Sequence, residues 1–245
     1  MTRRRAGLVA VEVRGGPAPW LTWTLVVLCA GTQWPSATLV EAGAGGAVDG
    51  VVTIVSPSSR RLTSPGAYPG RTVTVPTAAG GSELANVIAF VDLVAPAGST
   101  PGRSVIRQVD EVFVPHVAAV TTGSTVDFPN DDVIFHNVFS LSRAATFDLG
   151  RYPRGQSKMR RFDRAGIVKV FCHFHSHMSA VVRVFAHPYF ARPDAAGRFV
   201  ITGVPTGRHR IVAWHERVGE VSHESVVSEG GRVSLSFVMP LADPP

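Results

Sequence analysis

The stretch FCHFHSHM, residues 171–178, concentrates metal-binding side chains in one short segment. It holds Cys172, three histidines and Met178, although the chain has only one other cysteine. Cys172, His175 and Met178 form a Cys-x-x-His-x-x-Met pattern. Thiolate sulfur, imidazole nitrogen and thioether sulfur are all ligands that transition metals accept. The residue types and their spacing therefore predict a metal site on this segment.

A fourth candidate ligand is His136, which follows a turn-rich NDD sequence at the start of a predicted strand. Two histidines, one cysteine thiolate and a weak axial methionine are the donors of a blue-copper electron-transfer site. We therefore expect His136, Cys172, His175 and Met178 to bind copper. A fixed scaffold around such a site keeps rearrangement small when an electron moves.

The loop also contains two histidines outside this pattern, His173 and His177. They offer competing imidazoles, so a zinc site or a non-blue copper site built from Cys172 and several histidines stays open as an alternative. Since they alternate with His175 along the chain, we expect them to face away from it as exposed loop residues.

The elements that must position these ligands are predicted to be β-strands. The chain is 45% hydrophobic, with 24 glycines and 18 prolines, and its short apolar runs are rich in valine. This composition favours strands and turns over helices, so the predicted fold class is all-β. The runs GIVKVF (166–171) and AVVRVFA (180–186) flank the ligand segment, which is therefore predicted to be the turn between two adjacent strands.

The amino end has the character of an export signal. Arg3, Arg4 and Arg5 precede an uncharged apolar run at 20–30, and small residues follow. We predict a cleaved signal at 1–44. The apolar run is shorter than the roughly 20 residues that a membrane span needs, although an uncleaved anchor stays open. Cleavage removes Cys29, so an exported protein with Cys172 alone has no internal disulfide.

Removal of 1–44 takes away four arginines and two glutamates and lowers the formal net charge from +6 to +4. The remaining arginines are scattered among strands and are not interleaved with stacking aromatic residues, which argues against nucleic-acid binding. We expect a periplasmic or otherwise exported protein with no stable membrane span after cleavage.

The chain is expected to have two β-domains after the signal. Residues 45–186 would form the ligand-bearing domain, and 187–245 would form a smaller β-sandwich, because glycine and proline punctuate short strands there at close intervals. Isolated histidines such as His116 are expected to be structural. Asp131 and Asp132 are interpreted as turn formers.

The segments VTTGSTVDFPNDDVIFHNVFS (120–140) and FDRAGIVKVFCHFHSHMSAVVRVF (162–185) resemble the cupredoxins, most closely the amicyanin-like and methylamine-utilisation type members. The resemblance implies a cupredoxin-like Greek-key β-sandwich. It also implies one type 1 copper per chain, bound by His136, Cys172, His175 and Met178. Asn137 would tie the two ligand-bearing segments together by hydrogen bonds. The segment 187–245 resembles carboxypeptidase-regulatory-like, transthyretin-type modules.

These observations predict an exported blue copper protein that carries single electrons between redox partner proteins. A copper oxidase is disfavoured because one set of ligands provides no additional copper centre for oxygen chemistry, so the protein is not expected to be an enzyme. The alternative is a copper or zinc storage or delivery protein that uses the histidine-rich loop without redox turnover.

Overall fold

The computed structural model describes residues 45–55, 83–93 and 99–241, and most of these residues lie in strands. The described residues contain seventeen strands and one short 3-10 helix, Glu83–Asn86. The predicted all-β class is confirmed. The export signal expected at 1–44 lies outside the described residues. Among the described residues, no helix has the length and apolar character needed to cross a bilayer.

Ten strands form what we call the first sandwich. They are β3 (Arg103–Val105), β4 (Arg107–Val109), β5 (Val112–Val114), β6 (Val117–Thr121), β7 (Ser124–Pro129), β8 (His136–Ser142), β9 (Ala145–Tyr152), β10 (Ser157–Phe162), β11 (Gly166–Phe171) and β12 (Ser179–Phe185). Eight of them form two facing sheets, with the strand orders β10-β7-β3 and β6-β12-β11-β8-β9, and β4 and β5 pair with each other as a separate two-stranded sheet. The two sheets enclose an apolar core that includes Phe128, Val168 and Val182.

Seven strands form the second sandwich. They are β1 (Gly46–Val55), β2 (Ile88–Asp92), β13 (Phe190–Ala191), β14 (Arg198–Val204), β15 (Gly207–His215), β16 (Gly219–Val227) and β17 (Arg232–Pro240). Its sheets have the orders β14-β1-β17 and β13-β2-β15-β16. Val48, Ile211 and Phe237 are among the residues buried between them.

The strand pairing departs from the predicted domain boundary in one respect. The strands β1 and β2 were expected in the ligand-bearing domain at 45–186, but β1 pairs with β14 and β17, and β2 pairs with β13 and β15. The first sandwich is therefore inserted between β2 and β13 of the second. A period-2 apolar pattern shows that a segment is a strand, but it does not show which distant strand is its partner.

The two sandwiches share a third apolar cluster. On β2, Ile88 and Phe90 face β12 of the first sandwich, where they meet Val181 and Phe185, while the alternate residues of β2 fill the second sandwich. This explains why residues 87–91 (VIAFV) are all apolar, since Ile88, Ala89, Phe90 and Val91 of β2 are buried on both faces. The guanidinium of Arg183 lies over the Phe90 ring at 4.6 Å, in the same cluster.

The strands β11 and β12 carry the ligand segment between them, as predicted. They pair antiparallel from Gly166 with Val184 to Phe171 with Ser179, so residues 172–178 form the loop at the end of a hairpin. Val168 and Val170 are buried, whereas Lys169 between them is exposed. One face of this hairpin therefore packs on the core and fixes the loop against it.

Candidate metal centre

The side chains of His136, Cys172 and His175 converge at one end of the first sandwich. Nδ1 of His136 lies 3.1 Å from Nδ1 of His175. Sγ of Cys172 lies 3.9 Å from Nδ1 of His136 and 3.8 Å from Nδ1 of His175. His136 and Cys172 are buried, whereas the His175 side chain is 22% exposed. Three of the four predicted ligands thus meet around one point.

The spacing of these three atoms fits a single metal ion. The centre of the circle through them lies about 2.1 Å from each atom, close to the roughly 2.0–2.3 Å of metal–nitrogen and metal–sulfur bonds. Two imidazole lone pairs at 3.1 Å repel each other unless a proton or a metal ion lies between them. One sulfur and two nitrogens suit copper and also zinc.

His136 is oriented by an acidic partner on its outer nitrogen. Its Nε2 lies 2.8 Å from Oδ2 of Asp132, so the hydrogen of the imidazole is on Nε2 and the Nδ1 lone pair faces the centre. A histidine ligand that donates its other N–H to a carboxylate has a fixed orientation and greater basicity. Asp132 therefore supports the site, although the sequence indicated only a turn former.

Asp132 also holds the turn between β4 and β5. Its Oδ1 accepts the Asp110 N–H at 2.6 Å, and its Oδ2 accepts the Glu111 N–H at 3.0 Å. Burial alone would raise the pKa of Asp132, but the hydrogen bonds from Glu111, His136 and Asp110 hold it below its ordinary value. The ionised carboxylate thus joins this turn to His136, the first of the predicted histidine ligands.

The β4–β5 turn is strained. Asp110 and Glu111 have φ angles of 52° and 58°, in the left-handed region that non-glycine residues occupy at a cost of about 1–3 kcal/mol each. The turn brings the Glu111 carboxylate to 3.9 Å from Nε2 of His175 and 3.6 Å from Nε2 of His177. Each of the two histidines at the centre therefore has a carboxylate near its outer nitrogen.

The loop at 172–178, called the ligand loop here because it carries three of the predicted ligands, is held by hydrogen bonds between its own backbone groups. The Cys172 N–H donates to the Met178 carbonyl at 3.4 Å, and the Met178 N–H donates to the His175 carbonyl at 2.9 Å. The Met178 side chain is fully buried and belongs to the same apolar cluster as Cys172. Both ends of the loop are thus anchored in the core.

Asn137 ties the two ligand-bearing segments together, as the resemblance implied. Its Oδ1 accepts the backbone N–H of His173 at 2.7 Å, and its amide group donates to Asp148 at 3.2 Å. The donor on the loop is a backbone group, so this bond does not depend on the residue type at position 173. The prediction for Asn137 is confirmed.

The two extra histidines of the loop point away from the three converging atoms. The His173 ring stacks on Phe139 with centroids 3.7 Å apart, and its side chain is half exposed. The His177 side chain is 58% exposed and faces Glu111. In the described ranges, His136, Cys172 and His175 are the one group of three histidine, cysteine or acidic residues with ligand atoms within 4.8 Å of one another.

No family model and no curated protein sequence matches this chain. Among solved structures, the copper-containing nitrite reductase NirK from Thermus scotoductus SA-01 is 23% identical with a TM-score of 0.32, over 39% of this chain and 25% of the reductase chain. A purple cupredoxin from Nitrosopumilus maritimus is 25% identical with a TM-score of 0.28, over 31% of this chain and 83% of that protein. A Cu(I) form of an amicyanin mutant is 22% identical with a TM-score of 0.32, over 39% of this chain and 97% of that protein.

The fold and the converging side chains define an all-β protein of two sandwiches with a candidate mononuclear metal centre. The solved structures above overlap less than half of this chain. The likeness of 187–245 to a carboxypeptidase-regulatory-like module stays a prediction.

Proposed function

We propose that this protein is an exported single-electron carrier with one type 1 copper, bound by His136, Cys172, His175 and Met178. The observation that carries the proposal is the triangle of two Nδ1 atoms and one Sγ, whose centre lies at metal-bonding distance from all three. Copper bound there would supply the Cu(I)/Cu(II) couple. The methionine thioether is proposed as the weak axial donor because Met178 is buried beside Cys172 at the end of the same loop.

The protein would contribute a rigid arrangement of the ligand side chains. Asp132 fixes the ring of His136, and Asn137 fixes the loop that carries Cys172 and His175. Both supporting bonds come from residues with little or no exposed side chain, so the ligands keep one arrangement in the two charge states. Preorganisation of this kind lowers the rearrangement that accompanies electron movement.

His175 is the proposed path between the centre and a partner. Its side chain is 22% exposed, whereas His136 has no exposed surface. The exposed Phe135 and Phe174 both lie near Arg151, whose guanidinium is 4.6 Å and 5.7 Å from their ring centroids. We propose that redox partner proteins dock over His175, with the protein in the periplasm or otherwise exported.

A second candidate function, metal storage or delivery, is favoured by one observation. His177 and Glu111 present a nitrogen and a carboxylate 3.6 Å apart on the surface beside His175. Because these groups are exposed, they suit a site that takes up and releases an ion more than a site that keeps an ion permanently bound. This candidate predicts metal binding that survives removal of the sulfur ligand.

Titration of the metal-free protein with Cu(II), followed by visible absorption, separates the two functions. An electron carrier gives an intense thiolate-to-copper band that reductant bleaches reversibly and that Cys172→Ser abolishes. His177→Ala is the matched control, because it removes an exposed imidazole of the same loop and should leave the band unchanged. A colourless complex, or a band that survives Cys172→Ser, contradicts the proposal.

A further inference from the structure

His116 holds the strand that follows the ligand loop at two points. Its carbonyl accepts the Val181 N–H at 2.8 Å, and its Nδ1 lies 2.9 Å from the Ser179 carbonyl. Ser179 directly follows Met178 and pairs with Phe171, the residue before Cys172. His116 therefore binds to β12 by hydrogen bonds at the point where the ligand loop ends.

The other nitrogen of His116 reaches the second sandwich. Its Nε2 lies 2.8 Å from Oε2 of Glu216, in the turn between β15 and β16. The second carboxylate oxygen of Glu216 lies 3.3 Å from Nζ of Lys169, on β11. A single carboxylate of the second sandwich thus contacts both the β5–β6 connection and one strand of the hairpin that bears the ligand loop.

The two neighbours of His116 favour its protonated form. A backbone carbonyl only accepts hydrogen bonds, and an ionised carboxylate also only accepts them. A neutral imidazole has one N–H, so only the imidazolium satisfies both partners at once. The hydrogen bond to Glu216 raises the pKa of His116 in spite of the opposing effect of burial. The connection is therefore a chain of two charge-assisted hydrogen bonds.

We propose that Glu216 and His116 are positioning residues for the ligand loop, so that the second sandwich sets where Met178 lies through the Ser179 carbonyl. Among the described residues, the polar partners of the His136, Cys172 and His175 side chains all lie in the first sandwich, so this chain of bonds is an indirect influence on the site. The reduction potential of a type 1 site is tuned by its weak axial ligand, so small shifts of Met178 are expected to matter. The role of Met178 as a ligand rests on the proposed function.

The test measures amide hydrogen exchange over 172–181 in the full-length, metal-free protein. Glu216→Ala removes the acceptor for His116, and exchange in this segment is expected to become about tenfold faster, because the segment opens more easily. The matched control is Glu220→Ala, which removes another carboxylate of the second sandwich that pairs with β12, through Arg183 at 3.2 Å. That control should leave exchange over 172–181 unchanged.

Copper-loaded samples of the same variants give an independent readout. Glu216→Ala should shift the visible band and the reduction potential, whereas Glu220→Ala should leave both as in the parent protein. Should Glu216→Ala not fold, Glu216→Met and Glu220→Met replace the pair, because methionine has a similar length and no carboxylate acceptor. Equal exchange over 172–181 in the two variants overturns the inference. Hydrogen exchange is measured without metal. A protein that does not become blue with copper therefore contradicts the proposed function, whereas the exchange result still decides the role of Glu216 and His116.

Discussion

Nε2 of His136 and Oδ2 of Asp132 are 2.8 Å apart, and the same carboxylate accepts the backbone N–H groups of Asp110 and Glu111. Asp132 thereby links a strained turn to a buried histidine whose Nδ1 faces the candidate metal position. The link makes the β4–β5 turn part of the site, although this turn contributes no atom to the converging group.

Asp132→Asn tests this link. The substitution keeps the shape of the side chain but removes the negative charge, so His136 loses basicity and a fixed orientation. Loss of such an outer partner costs about 10–100-fold in metal affinity. Competition titration with a chelator measures the change. Asp131→Asn is the control, since Asp131 pairs with the exposed side chain of Arg107. Equal affinity in the two variants would show that Asp132 does not support the site.

Asn137→Ala tests the bond between the two ligand-bearing segments. The variant leaves the partly buried His173 N–H without its acceptor, and loss of this bond costs about 1 kcal/mol in the free energy of unfolding. Denaturation of the metal-free protein measures it. His173→Ala retains the backbone N–H and is expected to destabilise the protein less, so a larger loss for His173→Ala would contradict the assignment.

The His116–Glu216 pair gives a pH-dependent contribution to stability. The pKa of His116 is raised above 6.5 by its bond to Glu216, so its contribution is complete below 6.5 and is lost as the pH rises through the raised value. The bond from His116 lowers the pKa of Glu216 below 4.5, so that contribution is present above 4.5 and is lost in stronger acid. The pair therefore stabilises the fold most between these limits.

Glu216→Gln measures this contribution. The difference in unfolding free energy between the parent protein and the variant should be larger at about pH 6 than at about pH 9. Lys169 acts on Glu216 and Glu83 acts on His116, and hydrogen bonds from Asn86 and His215 hold the pKa of Glu83 below its ordinary value despite burial. Glu220→Gln is the control, because its arginine partners do not titrate in this range. A difference that is flat with pH, or larger at pH 9, would exclude the pair as the source.

The position of the ligand loop could be predicted because the residues that indicate it are close together in the sequence. Cys172, His175 and Met178 are close in sequence, and alternating apolar residues on both sides show that two strands flank them. His136 was predictable from the turn signals before it. These patterns indicate which residues meet at one end of a hairpin without knowledge of the remaining sheets.

The parts that sequence analysis missed depend on distant partners. The strand β1 alternates like other strands here, but its parallel partner β17 lies at the other end of the chain. His116 was expected to be structural, but its contact with Glu216, 100 positions away, could not be read from the sequence. Asp132 was interpreted as a turn former because Asn-Asp-Asp is typical of turns, although its spacing of four residues from His136 was a usable signal.

X-ray absorption at the copper edge of the loaded, full-length protein measures which atoms bind the copper. We predict one sulfur and two nitrogens as the strong ligands, at roughly 2.0–2.3 Å, and loss of the sulfur contribution in Cys172→Ser. A copper environment of nitrogen and oxygen atoms alone in the parent protein would contradict it.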